Sequence, residues 1–588
     1  MCQMCAVIVN TGTCGFDPGG AVMAVLFEGG DATGSLIGSG RRLMAVGDEF
    51  RGTLTANDQD VIAVTLTAGE SYSFTLQGRG TTPELDTVLE LYSAGRALLA
   101  ENDDFGVGLG SRINFTATET GTYLLRVGGF LGASGQYSLT AVELPPLADA
   151  TPQALASFLT DGFWAATGRS RHAFDMTTDS VITVNVAGLT AEGRTLALAA
   201  MEAWEMVANV DFRVVTTTAD ISFDDNQTGA FANYTNSGGT TLSAAVNVST
   251  QWLQTYGTGF GSYSFQTYVH EIGHALGLGH QGPYNGRADF PNDAAFRNDS
   301  WSLSIMSYFD QDQNPHDPSG FGFVLTPMIA DILAVQDLYG APVGGVTAGN
   351  TVWGEGTTLQ NFLGDFLRSE LAAPDPLSQL AFTIFDEGGR DRVVFASDSM
   401  AQDVVLEGGA RWNVFGGTGN VIVALGTVLE DYVAGSGNDR IVGNAGANAL
   451  TGNAGNDRLE GRAGNDTLSG GAGRDLLIGG DGNDRLIGGI WADRLNGGQG
   501  NDVLAGGAGA DVFIFAAGRD RITDFQDNVD RLWIEGDLLG AAGATWGALA
   551  DLAQAFADRV EFRFSNTHVL TVTGVTQIAQ LADDVVFV

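Results

Sequence analysis

The sequence predicts a multidomain protein of mixed α+β and all-β class: an N-terminal β-sandwich, a central α/β domain and a C-terminal parallel β-roll. Three observations predict it. Runs of period-two alternation fill residues 51–145, amphipathic helical stretches and a cluster of histidines mark 150–345, and a nine-residue glycine and aspartate repeat runs from 434 to 515. The β-rich stretch 346–433 precedes the repeat and a cap, 516–588, follows it, while residues 1–50 read as a leader or propeptide-like segment.

Composition narrows the function classes. The chain has 28 Lys+Arg against 69 Asp+Glu, a net charge of −41, and no lysine. No basic face can be assembled from so few cations, which excludes a nucleic-acid partner. No apolar run reaches the ~18–20 residues of a membrane span. With 44% hydrophobic residues the chain can build cores rather than remain disordered. The 83 glycines are about twice the usual share of roughly 7%.

Cys2, Cys5 and Cys14 all stand in the leader and cannot staple the body of the protein. They read as free thiols. The first residues lack the charged and apolar regions of a secretory signal peptide, so the expectation is either a cytoplasmic protein or export by a route that does not read this end. From residue 51 the runs VIAVTLTAG (61–69), YSFTLQG (72–78), TVLELYSAG (87–95), RINFTAT (112–118), TYLLRVGG (122–129) and GQYSLTAVEL (135–144) alternate between turn residues, as in an antiparallel sandwich. Pro145 and Pro146 close it.

In the central region, 189–210 is an amphipathic helix with Leu196, Ala199, Ala200, Ala203, Trp204 and Val207 at helical spacing. A second helix contains His270 and His274. A third spans 326–340, with Thr326 expected as its N-cap, Pro327 in the first turn and Gly340 as its stop.

Three of the six histidines fall within eleven residues, His270-Glu271-Ile272-Gly273-His274-Ala275-Leu276-Gly277-Leu278-Gly279-His280. Four residues apart on a helix, His270 and His274 project from one face and can share a metal ion. Gly277 can end the helix in a left-handed conformation and bring His280 round as a third ligand. Three neutral imidazoles with an open fourth position are the donor set of a catalytic zinc. Glu271 lies beside the first ligand, where it can accept a proton from water. His172, His316 and His568 have no partner at ligand spacing, and Asp310, Asp312, Asn314 and Asp317 read as a solvated loop.

In the repeat, an acidic residue or its amide recurs every nine positions at Asp439, Asn448, Asp457, Asp466, Asp475, Asp484, Asp493, Asp502 and Asp511. Two positions on, an aliphatic such as Leu459 or Leu468 is placed to point inward. Glycines allow tight left-handed turns in which carbonyls converge, and aspartate adds a hard oxygen ligand suited to calcium. Asn448, and the segment Ile490-Trp491-Ala492-Asp493 that lacks the fourth-position glycine, break the pattern and put their calcium sites in doubt. Mutual repulsion of these carboxylates predicts a segment largely unfolded without calcium and folded by it.

These motifs carry a resemblance. The nonapeptide repeat resembles that of RTX proteins. The pattern HExxHxxGxxH, with Ser304-Ile305-Met306-Ser307-Tyr308 as a Met-turn whose Met306 stands twenty-six residues after His280, resembles metzincin proteases. Residues 293–311, 326–341, 382–397 and 419–457 resemble the serralysins, peptidase family M10, in order along 150–588. The resemblance implies a secreted zinc endopeptidase with one catalytic zinc, several calcium ions and protein or peptide substrates. It implies that Tyr308 joins the zinc sphere and then hydrogen-bonds the oxyanion, that Met306 forms an apolar floor beneath the imidazoles, and that Asp386 and Asp391, with Gly388 and Gly389, belong to a calcium-associated stretch. Gln281 stands where most serralysins have proline, which implies a changed loop and no loss of metal.

The end LADDVVFV (581–588) resembles the uncleaved signal of RTX proteins exported by type I machinery, implying that apparatus as a partner and an extracellular, monomeric product. Residues 51–143 resemble a pre-peptidase C-terminal domain, for which Asp86, Asp103 and Asp104 are candidate calcium ligands. A thiolate is a good zinc ligand, but the leader holds no matching switch motif by which one of its cysteines would cap the zinc in a zymogen. The competing expectation is a calcium-dependent adhesin with an idle protease domain.

Overall fold

The computed structural model describes residues 15–16, 22–23, 25–27, 42–55, 58–79, 85–103, 110–177, 180–286, 288–371 and 377–588. Cys2, Cys5, Cys14 and Asp104 lie outside them. Among the described residues no helix is long and apolar enough to cross a membrane. The chain divides into two units. One holds residues 1–151, 161–171 and 280–299; the other holds 152–160, 172–279 and 300–588.

The first unit is built on a sandwich of two five-stranded sheets. One sheet runs in the order 111–116, 71–79, 135–144, 49–54, 25–27, and the other 42–44, 59–66, 121–129, 87–92, 98–102. Strands at 25–27, 42–44 and 49–54 therefore begin before residue 51, where the alternation becomes legible. Inward residues such as Phe74, Leu89, Leu125 and Leu139 interdigitate between the sheets. The buried carboxylate of Asp60 accepts the Tyr137 hydroxyl at 2.7 Å. The segment after His280 is tied to this unit: Asn292 accepts the Thr116 N–H at 2.7 Å, and Asn298 exchanges two hydrogen bonds with Ala150.

The second unit opens with a five-stranded sheet made of β1 (Val181–Gly188), β2 (Asp211–Val214), β3 (Ile221–Asp224), β4 (Ala230–Ser237) and β5 (Thr240–Val248). The order is β2-β1-β3-β5-β4, parallel except for the antiparallel edge strand β4. Helix α1 (Ala191–Glu205) starts at Thr190, whose hydroxyl caps Gly193, and buries Leu196, Ala199, Ala200, Ala203 and Trp204 as its spacing requires. Helix α2 (Tyr263–Ala275) is capped by Ser262, and the Trp204 indole donates to the Val269 carbonyl at 3.0 Å, locking α1 to α2. Helix α3 (Ile329–Tyr339) starts later than expected. Its N-cap is Met328, whose N–H donates to the Asp331 carboxylate at 2.8 Å, while Thr326 instead accepts the Thr383 N–H at 2.8 Å. Pairing with a strand 57 positions away outranked local capping chemistry.

The C-terminal part of this unit carries a roll of two parallel sheets, with successive short strands alternating between them so that each strand pairs with the one 18 residues on. Leu450, Leu468, Leu486 and Leu504 from one sheet, and Leu459, Leu477 and Leu495 from the other, fill the interior.

Candidate metal centre

Helix α2 places His270 and His274 one turn apart, with ring centroids 4.7 Å from each other. The helix stops where Gly277 takes φ +107°, and the Gly277 and Leu278 N–H groups bond back to the His274 and Gly273 carbonyls at 3.0 Å each. A side chain is excluded there, because a Cβ on Gly277 would run into the His172 carbonyl oxygen. The ligand atoms of His270, His274 and His280 lie within 4.8 Å of one another.

All three imidazoles are oriented in the same way. The Nδ1 of His270 bonds the Ile305 carbonyl, that of His274 the Leu278 carbonyl and that of His280 the Tyr284 carbonyl, each at 2.8 Å. A carbonyl only accepts, so each Nδ1 carries the proton and each Nε2 presents a lone pair. Burial lowers the pKa of His270 to about 4 and of His274 to about 3, which keeps both neutral at ordinary pH. The donor set fits zinc, and among the described residues no other cluster of His, Cys, Asp or Glu meets the same closeness.

Glu271 is buried beside the first imidazole. Burial pushes its carboxyl up to about 8, partly offset by a hydrogen bond from the Ala232 N–H of β4. The Tyr308 ring lies 6.0 Å from that of His270 and is half-buried. Tyr263, at the start of α2, is pushed up to about 12 by burial, with the Tyr308 and Glu271 charges adding to the shift. Met306 is fully buried, its sulfur set against Gly273. On the His280 side, the Tyr284 hydroxyl reaches the buried Asp299 carboxylate at 3.0 and 3.2 Å, and Phe163 packs edge-on against the imidazole at 5.1 Å.

The roll forms a second array of oxygen donors. Each aspartate accepts, through Oδ1, the N–H of the residue 18 positions earlier: Asp457 from Asp439, Asp475 from Asp457, Asp493 from Asp475, Asp511 from Asp493, and on the other edge Asp466 from Asn448, Asp484 from Asp466, Asp502 from Asp484. Asp439 starts the series by accepting from Gln402. In all eight of these aspartates Oδ2 is buried without a protein partner. Buried anionic oxygens left over in a row fit a hard cation. Burial raises every one of them, Asp457 and Asp493 to about 7 and Asp439, Asp466, Asp502 and Asp511 to about 6.

The two irregular turns differ from each other. Asn448 spends Oδ1 on the Asn444 N–H and Nδ2 on the Glu430 carbonyl, so it has no spare anionic oxygen. Trp491 adopts a left-handed φ of +85° where neighbouring turns hold glycine, and Asp493 keeps the same arrangement as its equivalents.

Asp386 and Asp391 meet before the roll. Gly388 donates to one and Thr351 to the other, leaving Asp386 Oδ1 and Asp391 Oδ2 buried and unpartnered. Burial first, then Asp391, pushes Asp386 up to about 8. Three further acidic side chains join these arrays. Glu430 accepts the Asp391 N–H, Asp520 accepts the Asp502 N–H and Asp530 accepts the Asp511 N–H. Glu430 stands nine residues before Asp439 and Asp520 nine after Asp511, so the repeat itself signals both, whereas the 19-residue step from Asp511 hides Asp530. Asn314 and the side chain of Asp317 are buried rather than solvated, because Asp317 accepts Ser300 and Ser302 and pairs with Arg411 at 2.9 Å. His172 is buried and bonded to Thr241, whereas His568 is half-buried beside Ser565. In the sandwich, the Asp86 carbonyl accepts the Phe130 N–H and the Asp103 carbonyl accepts the Ser111 hydroxyl.

Residues 346–540 match the family described as Peptidase M10 serralysin C terminal. The chain is similar to Serralysin C of Dickeya chrysanthemi, 39% identical over 186 residues that cover 31% of this chain and 37% of that protein. It is similar to Metallopeptidase AprA of Pseudomonas marginalis, 32% identical over 46% of this chain and 59% of the relative. Metalloprotease AprA of Pseudomonas entomophila is 36% identical over 42% and 52%. The chain thus spans about half the length of the curated relatives it matches, and less of the first. Among solved structures, the pre-peptidase C-terminal domain of a Bacillus anthracis collagenase is 17% identical, covering 17% of this chain and 93% of its own, with a TM-score of 0.15.

Proposed function

For this chain of the serralysin type, with its M10 C-terminal family match over residues 346–540, we propose a zinc-dependent endopeptidase that hydrolyses peptide bonds of extracellular proteins and is folded and stabilised by calcium. The observation that carries this reading is the common orientation of His270, His274 and His280, each with Nδ1 tied to a main-chain oxygen and Nε2 left for a metal.

Zinc held by these three residues supplies Lewis acidity toward the scissile carbonyl and the attacking water. Glu271 takes the proton of that water and returns it to the leaving amine. Tyr308 donates a hydrogen bond to the oxygen of the tetrahedral species. Met306 packs against the helix and takes no part in proton transfer. Calcium is assigned to the spare Oδ2 atoms of Asp439, Asp457, Asp466, Asp475, Asp484, Asp493, Asp502 and Asp511, and to Asp386 with Asp391. Export by type I machinery, and a monomeric secreted product, complete the proposal.

The test is casein hydrolysis by the full chain in millimolar calcium, with and without phenanthroline, alongside Glu271→Ala. Chelator-sensitive cleavage, lost in the variant while one zinc stays bound, supports the enzyme. Activity that survives Glu271→Ala overturns the assigned base. Silence from both the full chain and a chain starting near residue 150 overturns the endopeptidase and leaves the adhesin.

A further inference from the structure

Asp331 has no role in the chemistry above, yet it is fully buried at the start of α3 and its carboxylate is crowded with donors. The Ser304 hydroxyl reaches Oδ1 at 2.6 Å, and the N–H groups of Ile305 and Met328 reach Oδ2 at 2.7 and 2.8 Å. Ser304 in turn accepts the Met306 N–H at 3.0 Å. One carboxylate thereby holds three consecutive residues, 304–306, against the start of α3.

Ile305 links this clamp to the metal centre. The residue whose N–H is held by Asp331 is the residue whose carbonyl accepts His270 Nδ1 at 2.8 Å. We propose that Asp331 is a positioning residue for the first imidazole: by fixing the Ile305 peptide it fixes the tautomer and the aim of His270. A neutral isostere cannot do the same. An amide offers one acceptor oxygen and turns an NH2 group toward main-chain donors, so the turn must shift and the Ile305 carbonyl with it. His274 and His280 rely on the carbonyls of Leu278 and Tyr284, which lie on other segments, so the effect is selective. Outer partners of this kind typically change metal affinity about 10–100-fold.

The metal part of this inference rests on the zinc reading; the imidazole part does not. The experiment uses the full calcium-loaded chain with 15N-labelled histidine, of which there are six. In Asp331→Asn the Nδ1–H signal of His270 is expected to shift or be lost to exchange, with those of His274 and His280 unmoved. Zinc affinity by chelator competition is expected to weaken by about 10–100-fold. Ser304→Ala, which removes one donor and leaves the carboxylate, is expected to give a smaller shift of the same signal and decides the matter if Asp331→Asn does not fold. A His270 signal unmoved in the folded variant, or an equal change in all three imidazoles, overturns the proposal. Failure of the unaltered chain to bind zinc overturns the zinc reading instead, while the imidazole signals still decide the role of Asp331.

Discussion

Gly273 lies directly beneath Met306: a Cβ built on the glycine would stand 2.6 Å from the methionine sulfur and 3.0 Å from Cζ2 of Trp204. The residue between Ile272 and His274 is therefore small because the Met-turn packs onto the helix at that point, with α1 closing the other side. Gly273→Ala should force Met306 and the indole apart, costing about 1–3 kcal/mol as an overpacked core does. Thermal unfolding of the calcium-loaded protein checks this, and an unchanged or raised Tm would show that the flexible methionine makes room without loss.

Gly277→Ala tests the turn between the second and third imidazoles. The left-handed φ of +107° and the close approach of the His172 carbonyl both oppose a side chain. A loss of at least ~1 kcal/mol in stability and a lower bound-zinc stoichiometry are expected. Zinc content equal to that of the unaltered protein would mean that His280 reaches its place without this turn.

Calcium binding by the roll should depend on pH, with a definite sign. Burial raises Asp457 and Asp493 to about 7 and Asp439, Asp466, Asp502 and Asp511 to about 6 from the ordinary carboxyl value of 3.8. Raised carboxyls in the folded state favour the protonated form, so the calcium-free roll is most stable below about pH 4 and loses that contribution as pH rises through about 6 to 7. Calcium requires the ionised form, so its half-saturating concentration should fall as pH rises from about 5 to 8, with protons released on binding near pH 6. Circular dichroism in EDTA across this range, and calorimetry in buffers of different ionisation enthalpy, measure both. A calcium affinity that does not change with pH would contradict the assignment of these oxygens.

Asn448→Asp should deepen calcium dependence. The amide now donates to the Glu430 carbonyl at 3.0 Å, and a carboxylate would face that oxygen with no donor. The expected result is a lower Tm in EDTA, by the ~1–3 kcal/mol of an unpaired buried group, and a larger rise of Tm on adding calcium. An EDTA melting curve identical to that of the unaltered chain would show that the amide bond contributes nothing.

Local pattern and long-range pairing carry different parts of this fold. The spacing His270-x3-His274-x5-His280, the nine-residue step of the aspartates and the helical face of α1 were all legible in the sequence, because each depends on a repeat within a few residues that backbone geometry converts into a shared face or edge. The reach of the sandwich back to residue 25, the capping of α3, the burial of the Asp317 side chain, and the membership of Asp530 were not. Several of these rest on a partner tens of residues away, such as Thr383 for Thr326 or Arg411 for Asp317, and no local period encodes such a pairing.

The sequence by itself determined which imidazoles can share an ion and which carboxylates recur along the roll. Only the tertiary structure decided how they are aimed: the carbonyls of Ile305 and Tyr284 that orient His270 and His280, the Asp331 carboxylate that holds Ile305, and the N–H groups that occupy one oxygen of each aspartate and leave the other for a cation. Orientation is a property of hydrogen bonds between segments, and those exist only once the chain has folded.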